Sequence, residues 1–255
     1  MGSRDPDEPI RLAELTGAIA RAADAGIGFP PETSLRLCLV GVALARSIGL
    51  SDEEVRDVYH AALLRHAGCT ASAHEETRLA GDEIELRRTI AMGDAGKPGD
   101  MLPRLVRGVA HGQSLAKRVR TVAILLARAP SVLPTALRGR CEVAIRFAVR
   151  LGLGPRVGRA LDEAFERWDG KGLPAGRKGD EVCLAARIVS LAELAASYVS
   201  VGGIAAAREV VAARSGGHVD PHLAARFVED AAGLLADATA PSGYEQDPGH
   251  RASPF

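Results

Sequence analysis

Apolar residues return every three or four positions along nearly the whole chain, and no segment alternates polar and apolar residues at strand spacing. Leu12, Leu15, Ile19 and Ala22/Ala23 form one such stripe, which predicts a first helix over 8–25. "GIGFPP" breaks it, and Thr33 or Ser34 is placed to cap a second helix running to Ile48 that is apolar almost all round and so central. Gly49 ends that helix, and Ser51 with Glu54 makes a capping box for a third carrying Val55, Val58, Ala62 and Leu63 inward. Further helices are predicted over 74–93, 101–111, 114–128, 132–151 and 155–167. Leu184, Ile188, Leu191, Ala195 and Val199 restart the pattern, and 203–214 forms a short helix. Asp220-Pro221 opens the last one, with Leu223, Phe227, Ala231 and Leu234 on one face. The fold class is all-α.

Only 4% of residues are aromatic against 47% hydrophobic, so the core must be filled by Ala, Leu, Val and Ile, which suits close-packed helices. Formal net charge is zero, which offers no overall attraction to nucleic acid or an anionic membrane. Four lysines stand against 28 arginines. Cys38, Cys69, Cys141 and Cys183 are widely spaced with no C-x-x-C pair, as expected of a reduced cytoplasmic protein. No signal-peptide pattern opens the sequence, and no uninterrupted apolar run reaches the ~18 residues that span a bilayer. The tail from 240 to 255, "APSGYEQDPGHRASPF", lacks periodicity and is expected to be disordered.

One stretch departs from the helical pattern: "ERWDGKGLPAGRKGDEV", Glu166 to Val182. Glycines at 170, 172, 176 and 179 permit tight turns, Pro174 fixes one of them, and Trp168 is expected to pack the loop onto the bundle. The loop, continued through "CLAARIVSLAE", resembles the segment around the GYP triplet of the HD-GYP branch of the HD-domain metal-dependent phosphohydrolases. Gly172-Leu173-Pro174 stands where GYP would be, and Asp169, Gly170, Gly176, Lys178, Gly179 and Arg187 also fit. "TSLRLCLVGVALARSIGLSDEEVRDVYHAALLRHAGC" is similar to the helices that carry the family's HD pair, and "RCEVA" at 140–144 to the region of its HPE motif. The resemblance spans residues 30–230. It implies an HD-domain-like helical bundle with a GYP-type loop and additional C-terminal helices. The expected division is an N-terminal helix over 1–29, the HD-GYP-like domain over 30–239 and the tail over 240–255. It also implies hydrolysis of cyclic dinucleotides, mainly cyclic di-GMP, at a site of two or three metals.

Laid on the family pattern, the metal ligands are mostly absent. The first histidine falls on Thr33, the HD pair on Arg65-His66, the following lysine on Cys69 and the HPE histidine on Arg140. The HH pair falls on Ala164-Phe165 and the late aspartate on Glu193. Ala and Phe offer no lone pairs, and Arg is a permanent cation that only donates. Two outcomes are open for the arginines. Arg65 and Arg140, with Arg177, Lys178 and Arg187 on the rim, would bind a phosphorylated ligand through bidentate contacts. Alternatively Arg65 and Arg140 pair with Glu142, Glu193 or Glu166 and plug the old cavity.

A regulatory or sensory module that has lost catalysis is the leading reading, its partner a phosphorylated small molecule or a regulatory protein, with no resident cofactor. Neither nucleic acid nor membrane is an expected partner. The alternatives are an active metal-dependent phosphohydrolase or a purely structural interaction module. The first would hold manganese, iron or zinc at a rearranged site built from His66, His74 and Glu75 in "HAGCTASAHEE". The other histidines, His60, His111, His218 and His222, are expected at the surface.

Overall fold

The computed structural model describes residues 11–30, 32–69, 89–90, 92–109 and 114–240. Among these the only regular structure is helical: α1 (Leu12–Gly26), α2 (Thr33–Ser47), α3 (Asp52–Leu64), α4 (Pro98–Gly108), α5 (Leu115–Arg150), α6 (Pro155–Asp162), α7 (Leu184–Ala213), α8 (Pro221–Glu229) and α9 (Ala231–Thr239). A 3-10 turn, Gly179–Glu181, follows the glycine-rich loop. The predicted helix over 74–93 and the tail from 241 fall mainly or wholly outside the described residues.

α2 is the axis of the bundle, packing on α3, α7 and α9. Leu37, Val40, Leu44 and Ala45 are fully buried, matching its all-round apolar character. Gly41 permits the closest approach, since a Cβ there would lie 3.3 Å from Val58 Cγ1 and 3.7 Å from Ala192 Cβ. One continuous apolar cluster runs from Ala20 of α1 through α2, α3, α6 and α7 to Ala238 of α9. α7 has the length and mean hydropathy, 1.6, of a membrane-crossing helix. It is nonetheless the core helix, burying Ile188, Leu191, Ala192 and Ala195 completely, which explains its apolar composition without a bilayer.

Several helix boundaries hold. Ser51 Oγ accepts from Glu54 N, and Glu54 returns a carboxylate oxygen to Ser51 N at 2.9 Å, closing the expected capping box. α7 breaks at Gly202-Gly203, where Gly203 has φ 69°, so the restart at 203 was legible.

Others need correction. The buried face of α1 is Thr16, Ala20, Ala23 and Asp24, while Leu12 and Leu15 are exposed. Neither Thr33 nor Ser34 caps α2: Glu32 occupies the cap at φ 72°, and Thr33 Oγ1 donates back to Pro30 O. The two helices predicted over 114–128 and 132–151 are one, continuous through Pro130 and Pro134. Both prolines lie off the core, where water can take the carbonyls that their missing N–H groups leave unpaired. α6 stops at Asp162 rather than 167. The last helix divides at Asp230, whose side chain accepts from Gly233 N and caps α9.

Candidate functional site

The end of α3 delivers Arg65 and His66 into the bundle, where both are buried. Arg65 meets α7 and the turn after α6: Nη2 donates to Glu193 Oε2, Nη1 donates to the carbonyl of Ala164, and the guanidinium lies 5.0 Å from the Phe165 ring centroid. His66 shares the same carboxylate, with Nε2 3.1 Å from Glu193 Oε1. Its other nitrogen, Nδ1, is 3.0 Å from Ser34 Oγ, which donates to Asp24 Oδ1 at 2.6 Å. Asp24 Oδ2 also accepts from Ser34 N at 2.9 Å. Phe29 closes one side with its ring edge-on to His66, centroids 5.3 Å apart.

These bonds form one connected chain of donors and acceptors, from which only Arg65 Nε, buried, is left without a partner. Burial depresses the His66 pKa, but its bonds to Asp24 and Glu193 outweigh that and raise it to about 9. Burial likewise pushes Glu193 up, and the charge of Arg65 and then the bond from His66 hold it well below the usual carboxylate range. At neutral pH His66 is therefore an imidazolium with both nitrogens donating. Two cations, Arg65 and His66, are matched by two carboxylates, Glu193 and Asp24, and no net negative charge is left.

The residues present do not fit the metals that the fold family implies. A metal needs neutral imidazoles and free carboxylate lone pairs converging on it. His66 has no free lone pair, Arg65 sits on Glu193, and Ala164 and Phe165 supply only a carbonyl and a ring, both spent on Arg65. Among the described residues no group of three or more His, Cys, Asp or Glu is placed to hold an ion. His74 and Glu75, proposed as ligands beside His66, lie outside the described residues.

The five expected ligand-binding cations do not form one open cradle. Arg65 is enclosed as above. Arg140 is half-buried, and its backbone carbonyl presses on Gly68, where a Cβ would come within 2.0 Å of the oxygen. Arg177 pairs with Asp162 at 3.1 Å and Glu163 at 3.4 Å. Arg187 bridges Asp180 and Asp220 at 2.9 and 2.8 Å and lies over the Trp168 ring. Lys178 is exposed.

The loop itself is held from within. Glu166, buried, accepts from Ala175 N at 2.8 Å and Arg177 N at 3.0 Å. Arg167 is clamped between Asp94 and Asp169, at 2.9 Å from each. Gly172 is obligatory, since a Cβ would lie 2.4 Å from Arg167 N.

Asp24 and Ser34 are the members of the centre that the sequence reading missed. A carboxylate at position 24, next to the apolar Ala23 and followed by the helix-breaking "GIGFPP", was the available signal. His60 is buried rather than on the surface, and His218 is half-buried with its pKa lowered to about 4 by burial and then by Arg167 and Arg214. His222 is exposed as expected, and none of the four cysteines forms a disulfide.

No family model matches the chain. It is 28% identical over 213 residues to the 3'3'-cGAMP-specific phosphodiesterase 3 of Vibrio cholerae, across 83% of this chain and 46% of that protein. The crystal structure of the cyclic GMP-AMP specific phosphodiesterase V-cGAP3 of V. cholerae superposes with a TM-score of 0.64 at 25% identity, over 90% of this chain and 51% of the other. The chain thus spans about half the length of the relatives it matches. The all-helical fold and these two relatives agree with the resemblance of the chain to the HD-GYP family.

Proposed function

We propose that this chain is a regulatory HD-GYP domain that does not hydrolyse cyclic dinucleotides. The reading rests on the ion pair between Arg65 and Glu193, completed by His66, at the positions from which the family would hold its metals. In metal-dependent hydrolysis the ion makes hydroxide available near neutral pH and stabilises charge on the phosphoryl oxygens. Arg65 can do only the second, and it is already neutralised by Glu193. The donor set therefore lacks what would make the nucleophile.

A phosphorylated small molecule is the ligand class this reading favours, and 3'3'-cGAMP is the first to test because the relative is named for it. Loop cations at the surface, Lys178 and Arg177, are the groups available to such a ligand, not Arg65. The deciding experiment is metal analysis and turnover on the same preparation, expressed with manganese and iron supplied and offered 3'3'-cGAMP and cyclic di-GMP. The expected result is no stoichiometric metal and no product, with any ligand-induced rise in melting temperature independent of added metal.

A second reading is favoured by the relative's activity: a phosphodiesterase with a rearranged metal site at His66, His74 and Glu75. It requires His66 to lose its proton and leave Glu193. Stoichiometric metal and turnover that both vanish in a His66→Ala, His74→Ala variant would establish it and overturn the regulatory reading.

A further inference from the structure

The turn that leads into α4 is tied to α7 and to the glycine-rich loop. Met92 O accepts from Tyr198 Oη at 2.7 Å and from Arg214 Nη2 at 3.2 Å. Arg167 Nη1 donates to Asp94 Oδ1 at 2.9 Å, and Lys171 Nζ lies 3.4 Å from Gly96 O. Between this turn, the start of α4 and the end of α7 lies a cleft of about 220 Å³. Among the described residues it is bounded by Asp94, Lys97, Asp100, Arg104, Ala213 and Arg214. All but Ala213 carry charge.

The acids of the cleft are engaged. Asp94 Oδ1 accepts from Gly96 N at 3.0 Å as well as from Arg167, and Oδ2 is 3.7 Å from Lys97 Nζ. Asp100 Oδ1 accepts from Arg104 Nε at 3.1 Å, and its Oδ2 accepts from Asp94 N at 2.8 Å. Arg214 is not matched in this way. It is 7% exposed, lies 5.4 Å from the Tyr198 ring centroid, and donates through Nη2 to Met92 O and Tyr198 Oη, which are neutral. Its Nη1, buried, has no partner, and among the described residues no carboxylate forms an ion pair with it. A buried guanidinium without a counter-charge is costly, so an anion in the cleft beside it is stabilising.

We propose that this cleft binds a small phosphate-class dianion, either inorganic phosphate or the phosphoryl end of a phosphomonoester. Three cations, Lys97, Arg104 and Arg214, border it against two carboxylates, and one of those also neutralises Arg167. A phosphoryl group presents several acceptor oxygens at once, which suits converging arginines better than the single charge of a carboxylate. A metal cation would add to the unbalanced charge of Arg214. At about 220 Å³ the cleft is smaller than the ~300 Å³ at which pockets for drug-sized ligands begin, so a whole cyclic dinucleotide is not its ligand. The site includes neither Arg177 nor Lys178, and it does not depend on whether the centre is catalytic.

The test uses the full chain and radiolabelled inorganic phosphate in equilibrium dialysis, with potassium chloride holding the ionic strength constant. Saturable binding of one ion per chain is expected, with a rise in melting temperature as phosphate is added. Affinity should fall roughly tenfold or more in Lys97→Ser, Arg104→Ser. Both side chains reach solvent, and an unchanged circular dichroism spectrum verifies that the variant is folded. Arg214→Met should abolish the phosphate-dependent rise; if that variant does not fold, the Lys97 and Arg104 pair decides. Glycerol 3-phosphate that displaces the label at least as well as unlabelled phosphate identifies a phosphomonoester site, and weaker displacement identifies a site for the free ion. Absence of saturable binding would overturn the proposal, as would binding unchanged in Lys97→Ser, Arg104→Ser. So would equal protection by acetate at the same ionic strength, or binding that is lost in Lys178→Ser, which would put the ion on the loop.

Discussion

The centre of the bundle and the loop that borders it have diverged differently. Both belong to the segments that resemble the HD-GYP family, and both are rich in charge. In the loop the family's residue types persist: Asp169, Gly170, Gly172 and Pro174 are in place, and Glu166 ties the turn together through two backbone N–H groups. In the centre the ligand types have been replaced by Arg65, Ala164 and Phe165, and the replacements bond to one another. Internal support explains the contrast. Glu166 is satisfied by the loop's own backbone, and Arg167 and Arg187 tie the loop to Asp94 and Asp220 rather than to the central ion pair. The centre must balance buried charge, so Arg65 and His66 each need a carboxylate beside them.

That contrast is most directly broken at Glu193. Glu193→Ala leaves Arg65 and the His66 imidazolium without their shared carboxylate, and urea unfolding should show a loss of about 3 kcal/mol. A loss near zero would mean that Asp24 alone balances the centre. Replacing Arg65 by Met together with Glu193 by Leu should recover most of that loss, because an apolar pair of similar volume needs no compensation.

The loop gives the next effect. Glu166→Ala strands the N–H groups of Ala175 and Arg177, and should cost about 2 kcal/mol while opening the loop to protease. Hydrogen exchange at Ser34 and His66 should stay as in the parent protein, since the loop and the centre are separately supported. If exchange rises in both regions, the two are one cooperative unit and the distinction fails.

Titration sharpens the comparison further. The folded pKa of His66, about 9, lies above its ordinary value of 6.5. Its contribution to stability is therefore complete below about pH 6.5 and is lost as pH rises through about 9. Unfolding measured across that window should show stability falling with pH, and the slope should disappear in His66→Gln. The smallest change is expected from Arg177→Ala. Its ion pairs with Asp162 and Glu163 lie partly in solvent, so melting should register less than about 1 kcal/mol.

Legibility in the sequence followed the range of the interaction. Local devices were readable: the Ser51–Glu54 box, the Gly202–Gly203 break and the glycines of the loop each act within a few residues. The pairing of Arg65 with Glu193 was one of two open outcomes, because a buried arginine must find a carboxylate but the sequence offers three. Asp24 and Ser34 were invisible because their significance lies in His66, 32 residues beyond Ser34. The fused α5 was missed because Pro130 and Pro134 read as a break, whereas an exposed helix tolerates them.

Those two prolines also decide how α5 moves. At 1.5 Å per residue the helix is about 54 Å long, and only its last third is gripped by the bundle. Proline has no N–H, so the carbonyls of Leu126 and Pro130 lack their helical donors at adjacent turns midway along the rod. Bending there breaks fewer hydrogen bonds than bending anywhere else in the helix. A swing of about 10° at that hinge carries Leu115, some 22 Å away along the axis, through roughly 4 Å. The outer arm of α5 can thus change its angle while the inner third stays seated against Gly68 and the charged centre behind it.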